Sequence, residues 1–408
     1  MIKRIISKGW GLTEYTFSAT ISQGIMMLYA LILARHLGPQ GYGYYASGYS
    51  LIGLWTFILG FGMDTWYLQR GSVERHPEHI AGKILKNKFL IFLIWAPFVL
   101  GIYLFRKSSI APLFLFICAL DIWWDNSFFT IIYGLNIQKR YSKITILLIF
   151  SRLGRLIGAL ILVWQNIYSP LVFALCRLLF TGISLSVALA IFKPFQRWRL
   201  ARQVPIHLKE LIPFVLSEVF VQIYVVADVS LLSILTSPLE VGLYSPASSV
   251  LSALFIIPNT IHLALIPIFS RKISVQRHFF DRTVFISMGG LGMLGLLLTF
   301  GVGLGSKWLI SPILGGAFEE TSNLLLLLSP ILFLKSLQYG LAAIIVASGW
   351  QKHRLIPQAL AATANLGLNL LLIPIYGAKG AALTYNFSEL LLLTGYALLV
   401  ILKTRTSV

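Results

Sequence analysis

Long apolar runs constrain this chain more than any other feature of its sequence. They lie near residues 15–34, 43–63, 89–105, 111–134, 144–164, 169–192, 211–235, 241–268, 284–304, 322–347, 355–376 and 380–402. A helix needs about 20 mainly apolar residues to cross a bilayer, whereas a strand of a membrane barrel needs about ten residues of alternating polarity. We therefore predict an all-α polytopic membrane protein with about 12 transmembrane helices.

Lysine and arginine are distributed unevenly between the connections of these spans. The termini and the connections on one side hold 24 of them, and the connections on the other side hold 5. Basic residues accumulate on the cytoplasmic side of membrane proteins. This asymmetry predicts a multi-pass protein of the plasma (inner) membrane with both termini cytoplasmic. The net charge of +19 then reflects topology, so nucleic acid is not expected as a partner.

The spans form two sets of six, separated by the segment KPFQRWRLARQVPIHLKE. Its mixture of aromatic, leucine and arginine residues predicts an amphipathic linker at the cytoplasmic membrane surface. The expected organisation is an N-terminal six-helix lobe at 1–192, a cytoplasmic linker at 193–210 and a C-terminal six-helix lobe at 211–408.

The two halves also share short sequence similarities. Gly43 pairs with Gly242 at an offset of 199 residues, and Gln138 pairs with Gln351 at an offset of 213. The difference requires an insertion in the second half, for which a long loop at 305–321 is the expected place. Parallel repeats are a recurrent plan of transporters that hold substrate between two lobes. We therefore predict two pseudo-symmetric six-helix lobes around a central cavity.

Several helix-end patterns resemble those of a known family. They are the turn LGPQGYGYY, the string FGMDTW that ends the second span, the stretch ADVSLLSILTSPLEVGLYSPASSVL, and the stretch LNLLLIPIYGAKGAALTYNFSE. Together they resemble the polysaccharide-transporter branch of the multidrug/oligosaccharidyl-lipid/polysaccharide exporter superfamily, which includes O-antigen and related repeat-unit flippases. The likeness extends over nearly the whole chain.

The resemblance implies a function and a set of partners. It implies a non-enzymatic flippase that moves undecaprenyl-diphosphate-linked oligosaccharide from the cytoplasmic to the outer leaflet by alternating access, for surface polysaccharide biosynthesis. The implied partners are this polyprenyl-diphosphate-linked oligosaccharide, membrane lipids, and polysaccharide polymerase and glycosyltransferases. Two alternatives stay open: a cation-coupled drug exporter of the same superfamily, and a membrane glycosyltransferase or polymerase that uses the same lipid carriers.

Three arginines are candidates for binding the substrate diphosphate. Arg152 and Arg155 are three residues apart on the fifth span and therefore share a helix face, and Arg177 lies at a similar depth in the sixth span. Guanidinium groups bind two phosphate oxygens at once, and a buried charge normally faces a bundle interior or a watery cavity. The alternative is pairing with Asp121 and Asp125, four residues apart on the fourth span.

Other buried charges have similar alternatives. Lys335 on the tenth span is a candidate for a second phosphate contact, or it neutralises Glu218 or Glu389 as a charge partner or gate. Glu14 and Asp64 are expected near cytoplasmic helix ends, where water solvates them; a role in gating is the alternative.

The second half offers oxygen ligands for a coupling ion. Asp228 lies on the seventh span, Asn365 and Asn369 share a face of the eleventh, and Thr384 lies near the start of the twelfth. A carboxylate with amide and hydroxyl oxygens suits a hard cation such as Na⁺, and the carboxylate alone suits H⁺. No other cofactor is expected, because the sequence has no Walker A string and no HExxH motif.

Overall fold

The computed structural model describes residues 2–71, 77–105, 110–195, 208–276 and 282–406. Within these ranges every regular element is a helix. The chain divides into two compact units, Met1–Gln222 and Ile223–Val408. The division falls inside the helix Leu208–Leu235, and the lobe limits drawn from the sequence stay a prediction. The membrane-surface placement of the linker concerns 196–207, which lie outside the described residues.

Among its described residues, the first unit contains seven helices and the beginning of an eighth. They are α1 (Ile2–Gly53), α2 (Thr56–Gly60), α3 (Met63–Gly71), α4 (Pro77–Phe105), α5 (Pro112–Ile137), α6 (Tyr141–Trp164), α7 (Pro170–Phe192) and α8 (Leu208–Leu235). Helix α1 packs against α6, and α5 packs against both α4 and α7. Helix α5 therefore lies at the centre of the contacts that build this unit.

The second unit continues from α8 through seven further helices. They are α9 (Pro238–Leu254), α10 (Ile256–Gln276), α11 (Arg282–Leu314), α12 (Glu319–Leu328), α13 (Pro330–Ala347), α14 (Gln351–Tyr376) and α15 (Ala378–Thr406). Helix α13 packs against α10, α11 and α15, and α14 packs against α15. A short 3₁₀ helix, Gly316–Phe318, precedes α12.

Ten segments of the described chain are long and apolar enough to cross a membrane. Nine of them each overlap one predicted span, and the tenth, Ser18–Gly53, overlaps the first and the second; the seventh span is matched only by a shorter apolar helix, Val226–Leu235. Large apolar side chains cover the outside of both units: Trp164 and Trp308 are 83% and 84% exposed. Such a surface needs lipid as its solvent, and the chain is a multi-pass membrane protein.

The second predicted span is not one continuous helix. Helix α1 is kinked at Gly38, which has a φ of 69° and is followed by Pro39. The span is then interrupted between α1 and α2 and again between α2 and α3, where Phe61 and Gly62 have φ of 44° and 67°. Left-handed backbone ends a right-handed helix, and glycine adopts it with no steric penalty. The breaks leave backbone polar groups that need partners from other helices.

The predicted long loop at 305–321 is wrong. Helix α11 continues to Leu314, and the helical conformation ends only at Gly315, whose φ is 88°. Residues 305–314 include apolar side chains such as Ile310, which is buried. Extending the helix through them gives their backbone N–H and C=O groups hydrogen-bond partners and buries part of this apolar surface. The residues where the sequence predicted an insertion therefore lie mostly in a helix.

Candidate functional site

Helix α5 carries the two carboxylates around which the predicted arginines gather. Asp121 is fully buried and pairs with Arg177, whose Nε lies 2.8 Å from its Oδ2. The Thr181 hydroxyl donates a hydrogen bond of 2.5 Å to Oδ1 of the same carboxylate. The Arg177 guanidinium lies 4.1 Å from the centre of the Tyr49 ring. A carboxylate, a hydroxyl and an aromatic face therefore surround the Arg177 charge, while Arg177 Nε and Asp121 Oδ2 form no hydrogen bond to the described residues.

Asp125, one turn along α5, has two cationic partners. Arg155 donates a hydrogen bond to its Oδ1, and Nη1 of Arg152 lies 3.6 Å from the same oxygen. Within the described part of the chain, Nε and Nη1 of Arg155 and Nε of Arg152 are buried without a hydrogen-bond partner. One carboxylate thus faces two guanidinium groups, and positive charge with free N–H donors remains.

This arrangement follows from simple helix spacing. Asp121 and Asp125 are four residues apart on α5, while Arg152 and Arg155 are three apart on α6, so each pair projects from one face. Helices α5, α6 and α7 pack against one another, which places Arg177 of α7 at the same cluster. The structure therefore brings together all three predicted arginines and both predicted aspartates.

A further buried ion pair was missed by the sequence reasoning. Lys88 is fully buried, and its Nζ lies 2.6 Å from Oδ2 of Asp64 and 2.7 Å from the Thr130 hydroxyl. That hydroxyl in turn donates to Oδ1 of Asp64 at 2.8 Å. Asp64, whose side chain is 14% exposed, therefore has a lysine inside the bundle as its charge partner, which the sequence did not predict. Removing Lys88 from the count of basic residues on the cytoplasmic side does not reverse the asymmetry between the two sides of the membrane.

The signal for Lys88 was its position next to an apolar run. Lys88 immediately precedes the predicted span 89–105, yet α4 begins 11 residues earlier at Pro77. Buried residues such as Ile80, Ile84 and Leu85 recur at helical spacing ahead of the lysine. Extending the span by this periodicity would have placed Lys88 inside a helix.

Glu218 of α8 binds to the interrupted second span. The backbone N–H of Gly62 donates to its Oε2 at 2.9 Å, and the Thr65 hydroxyl donates to its Oε1 at 3.3 Å. The carboxylate therefore satisfies a donor that the helix break leaves free. Lys335 pairs with the other predicted carboxylate, Glu389, at 2.5 Å.

In the second unit, Glu389 is held by neutral donors as well as by Lys335. It is fully buried, and the Gln338 side-chain amide donates to both its Oε2 and its backbone carbonyl at 2.7 Å. The Lys335 ammonium lies 5.3 Å from the Phe255 ring centre. Lys335, the predicted second phosphate contact, therefore has a charge partner, Glu389, in its own unit.

Asp228 is surrounded by side-chain amides of α14. The Asn365 and Asn369 amides donate to its Oδ1 at 3.0 and 2.6 Å, and the Asn369 amide also donates to Oδ1 of Asn365 at 3.0 Å. All three residues are buried. Thr384 is also fully buried, and no hydrogen bond of its side-chain oxygen to another described residue is formed.

Among the described residues, no group of three or more histidine, cysteine, aspartate or glutamate side chains is placed to hold a metal ion. The buried charges are therefore arranged as ion pairs and as a carboxylate bound by amides.

Comparison with known proteins identifies the family. Residues 8–272 match the family model described as polysaccharide biosynthesis protein. This match covers more than half of the chain. A comparison with the sequences of curated proteins gave no match.

Solved structures that share this fold include a flippase and two transporters. The lipid II flippase MurJ in an inward closed conformation has a TM-score of 0.70 at 16% identity, covering 95% of this chain and 87% of that chain. An inward-facing multidrug resistance MATE family transporter has a TM-score of 0.72 at 12% identity, covering 94% and 95%. A MOP superfamily transporter from Pyrococcus furiosus has a TM-score of 0.67 at 12% identity, covering 97% and 96%.

The helical architecture, the predicted motifs and these two comparisons agree. The chain belongs to the polysaccharide biosynthesis protein family and has the two-lobe fold of the MOP superfamily.

Proposed function

We propose that this protein is a flippase that moves undecaprenyl-diphosphate-linked oligosaccharide from the cytoplasmic to the outer leaflet of the plasma membrane. The observation that carries the proposal is the pairing of Asp125 with two arginines, which leaves buried guanidinium N–H groups without acceptors. The family match to polysaccharide biosynthesis proteins and the fold shared with a lipid II flippase support the same function.

The chemistry of the arginine cluster suits a diphosphate. Arg152, Arg155 and Arg177 carry three positive charges against the two carboxylates of Asp121 and Asp125. A diphosphate supplies negative charge and several oxygen acceptors, and the planar guanidinium group binds two such oxygens. Because Arg177 has its own carboxylate, Asp121, whereas Arg152 and Arg155 share Asp125, Arg152 and Arg155 are the residues proposed to make the main contacts, with Arg177 holding α7 against α5.

A protein route is required for this headgroup. Moving an isolated charged group into hydrocarbon costs on the order of tens of kcal/mol by Born solvation, so passive flipping is negligible. The lipid tail remains in the bilayer during transport. If the headgroup carries two negative charges outward, an inside-negative potential of about 100 mV favours the step by about 4.6 kcal/mol. A cationic drug is a poor substrate for the same cluster, because the surplus positive charge repels it.

Substitution of the arginines tests the proposal in proteoliposomes that contain lipid-linked oligosaccharide. Arg152→Ala and Arg155→Ala are expected to lower flipping strongly, and the lysine variants to retain part of it, because the charge survives but the planar fork is lost. Arg35→Ala is the matched control, since this arginine is exposed and lies outside the cluster. Full transport by the Arg152/Arg155/Arg177 triple alanine variant would exclude the site.

Coupling to a cation is proposed at Asp228. Asn369 has a buried Oδ1 that forms no hydrogen bond to the described residues, and the hydroxyl of Thr384 is in the same condition. Rotation of the two amides would direct oxygens instead of N–H groups at a cation bound to the carboxylate. The oxygen set formed with Asn365 suits Na⁺, and protonation of Asp228 is the alternative. The proposed role is to reset the empty carrier.

The coupling proposal is tested by imposed ion gradients. Asp228→Asn is expected to remove the dependence of flipping on a sodium or proton gradient, and Asn365→Ala or Asn369→Ala to weaken it. Asn323→Ala is a suitable control, because its amide bonds to Glu320 at an exposed position. An unchanged gradient dependence in Asp228→Asn would leave the membrane potential as the driving force.

The orientation proposed here places both termini in the cytoplasm, as the asymmetry of basic residues predicts. A reporter fused after Val408 is expected to be active only as a cytoplasmic reporter. Activity of a periplasmic reporter there would contradict the orientation.

Association with polysaccharide polymerase and glycosyltransferases is proposed from the shared lipid carrier, and co-purification in mild detergent tests it.

A further inference from the structure

The first unit contains a second polar site, which is separate from the arginine cluster. It is a cavity of about 360 Å³ lined by residues of α2, α3, α5 and α8. Pockets that bind small organic ligands have volumes of about 300–1,000 Å³, so the cavity can hold a ring-sized group. None of the three predicted arginines lines it.

The interrupted second span forms one wall of this cavity. Gly53 ends α1, and its carbonyl accepts a hydrogen bond of 2.5 Å from the Gln222 amide. Gly62 follows α2, and its N–H donates to Glu218. Irregular backbone within a membrane-spanning segment is tolerated where it is buried in protein or lines a polar cavity. Two side chains of α8 thus bind backbone groups of the interrupted span where it borders the polar cavity.

The cavity combines hydrogen-bonding groups with aromatic rings. The side chains of Asn126 and Gln222 contribute amides, while Phe57 and Tyr133 contribute rings. From the described residues, each carboxylate oxygen of Glu218 accepts one hydrogen bond, and a carboxylate oxygen can accept two. Sugar rings are recognised by this combination, because their hydroxyl groups both donate and accept and their C–H faces stack on aromatic rings.

The charge of the cavity is opposite to that of the arginine cluster. Asp64 is neutralised by Lys88, whereas Glu218 forms no ion pair with any residue that the structure describes. One net negative charge therefore remains. It disfavours phosphate and also a sugar that carries a carboxylate, since like charges in a desolvated site repel each other.

We propose that this cavity binds an uncharged sugar residue of the lipid-linked oligosaccharide and discriminates against uronic acids. The inference rests on the proposed flippase function and adds the substrate class. In this arrangement the first unit has separate sites for the two chemical parts of the headgroup: Arg152 and Arg155 for the diphosphate, and the cavity around Glu218 for a neutral sugar.

Binding of short-chain polyprenyl diphosphates to the purified full-length protein tests the inference. Three ligands are compared: the bare diphosphate, its derivative with a neutral hexose, and its derivative with a hexuronic acid. The neutral hexose is expected to tighten binding by about 5- to 10-fold, the effect of one or two net hydrogen bonds, and the hexuronic acid to give no gain. Equal affinity for all three ligands would overturn the inference.

Variants locate the effect. Phe57→Ala and Asn126→Ala are expected to remove most of the hexose gain and to leave binding of the bare diphosphate unchanged. Glu218→Gln is expected to narrow the difference between hexose and hexuronic acid, because the amide oxygen still accepts the Gly62 N–H while the charge is lost. Gln165→Ala, at an exposed position in the same unit, is the control. Retention of the full hexose gain in both Phe57→Ala and Asn126→Ala would place the sugar elsewhere.

The two proposals fail in different ways. If none of the ligands binds, or if Arg152→Ala and Arg155→Ala bind the bare diphosphate like the wild type, the flippase proposal is wrong. If the bare diphosphate binds through the arginines and the hexose adds nothing, only the sugar site is wrong. Binding of tetraphenylphosphonium that Glu218→Gln abolishes, without a preference for hexose, would assign the cavity to cations and overturn the inference.

Discussion

Each of the two units has a carboxylate inside its helix bundle, and the surroundings of the two carboxylates differ. In the first unit, Asp125 faces two guanidinium groups, and positive charge is in surplus. In the second unit, Asp228 faces the amides of Asn365 and Asn369, and its negative charge has no cationic partner within hydrogen-bond distance among the described residues. Each surplus is buried and can be relieved by a ligand of opposite sign. The difference suits the first unit to an anionic headgroup and the second to a small cation.

The contrast also concerns what each carboxylate does for stability. A buried charge that loses its partner retains the full cost of desolvation, whereas a neutral amide that loses a carboxylate loses only hydrogen bonds. The same chemical change should therefore have unequal consequences in the two units.

Asp121→Asn is expected to have the largest effect on stability. The change leaves the partly buried Arg177 without its counter-charge, which costs about 3–5 kcal/mol of unfolding free energy. Asp228→Asn is the matched change in the second unit and is expected to cost about 1 kcal/mol, since its partners are neutral amides. Denaturant titration of the purified variants in detergent measures both values, and equal losses would remove the distinction between the units.

Lys88→Met is expected to have the next largest effect. It retains the apolar volume of the side chain but leaves Asp64 with the Thr130 hydroxyl alone, at a cost of about 3 kcal/mol. Lys379→Met is the comparison in the second unit, where Lys379 pairs with Glu320 at 2.9 Å and both side chains are exposed. That variant is expected to unfold like the wild type. Similar unfolding of Lys88→Met and the wild type would show that the buried pair is not structural.

Gly62→Ala is expected to have a smaller effect, of about 2 kcal/mol, because a left-handed backbone and a close approach act together. The added Cβ would lie 2.8 Å from both the Phe214 Cβ and the Val215 backbone nitrogen. Gly349→Ala separates the two causes, since Gly349 has a φ of 74° but open space around it, and only about 1 kcal/mol is expected there. Thermal unfolding of both variants in detergent provides the test; equal shifts would assign the whole effect to the backbone angle.

Local features were readable from the sequence because their physical cause is local. The apolar runs predicted the spans, and the i, i+4 spacing of Asp121 and Asp125 predicted their shared helix face. The end of a helix also has a local cause. The sequence nevertheless did not predict the break at Phe61 and Gly62, because a left-handed backbone is unusual for a non-glycine residue such as Phe61.

The choice of partners was beyond the sequence. Glu218 and Glu389 were equal candidates for Lys335, and Asp64 was assigned to water, until the packing placed Glu389 beside Lys335 and Lys88 beside Asp64. In a helix that is apolar around most of its circumference, the hydrophobic pattern does not determine which face meets which neighbour. Charge and spacing by themselves thus determined that a membrane bundle would contain buried arginines and carboxylates. Only the tertiary structure decided which of them meet, because ion pairs between helices depend on the rotation and crossing of helices that close packing selects.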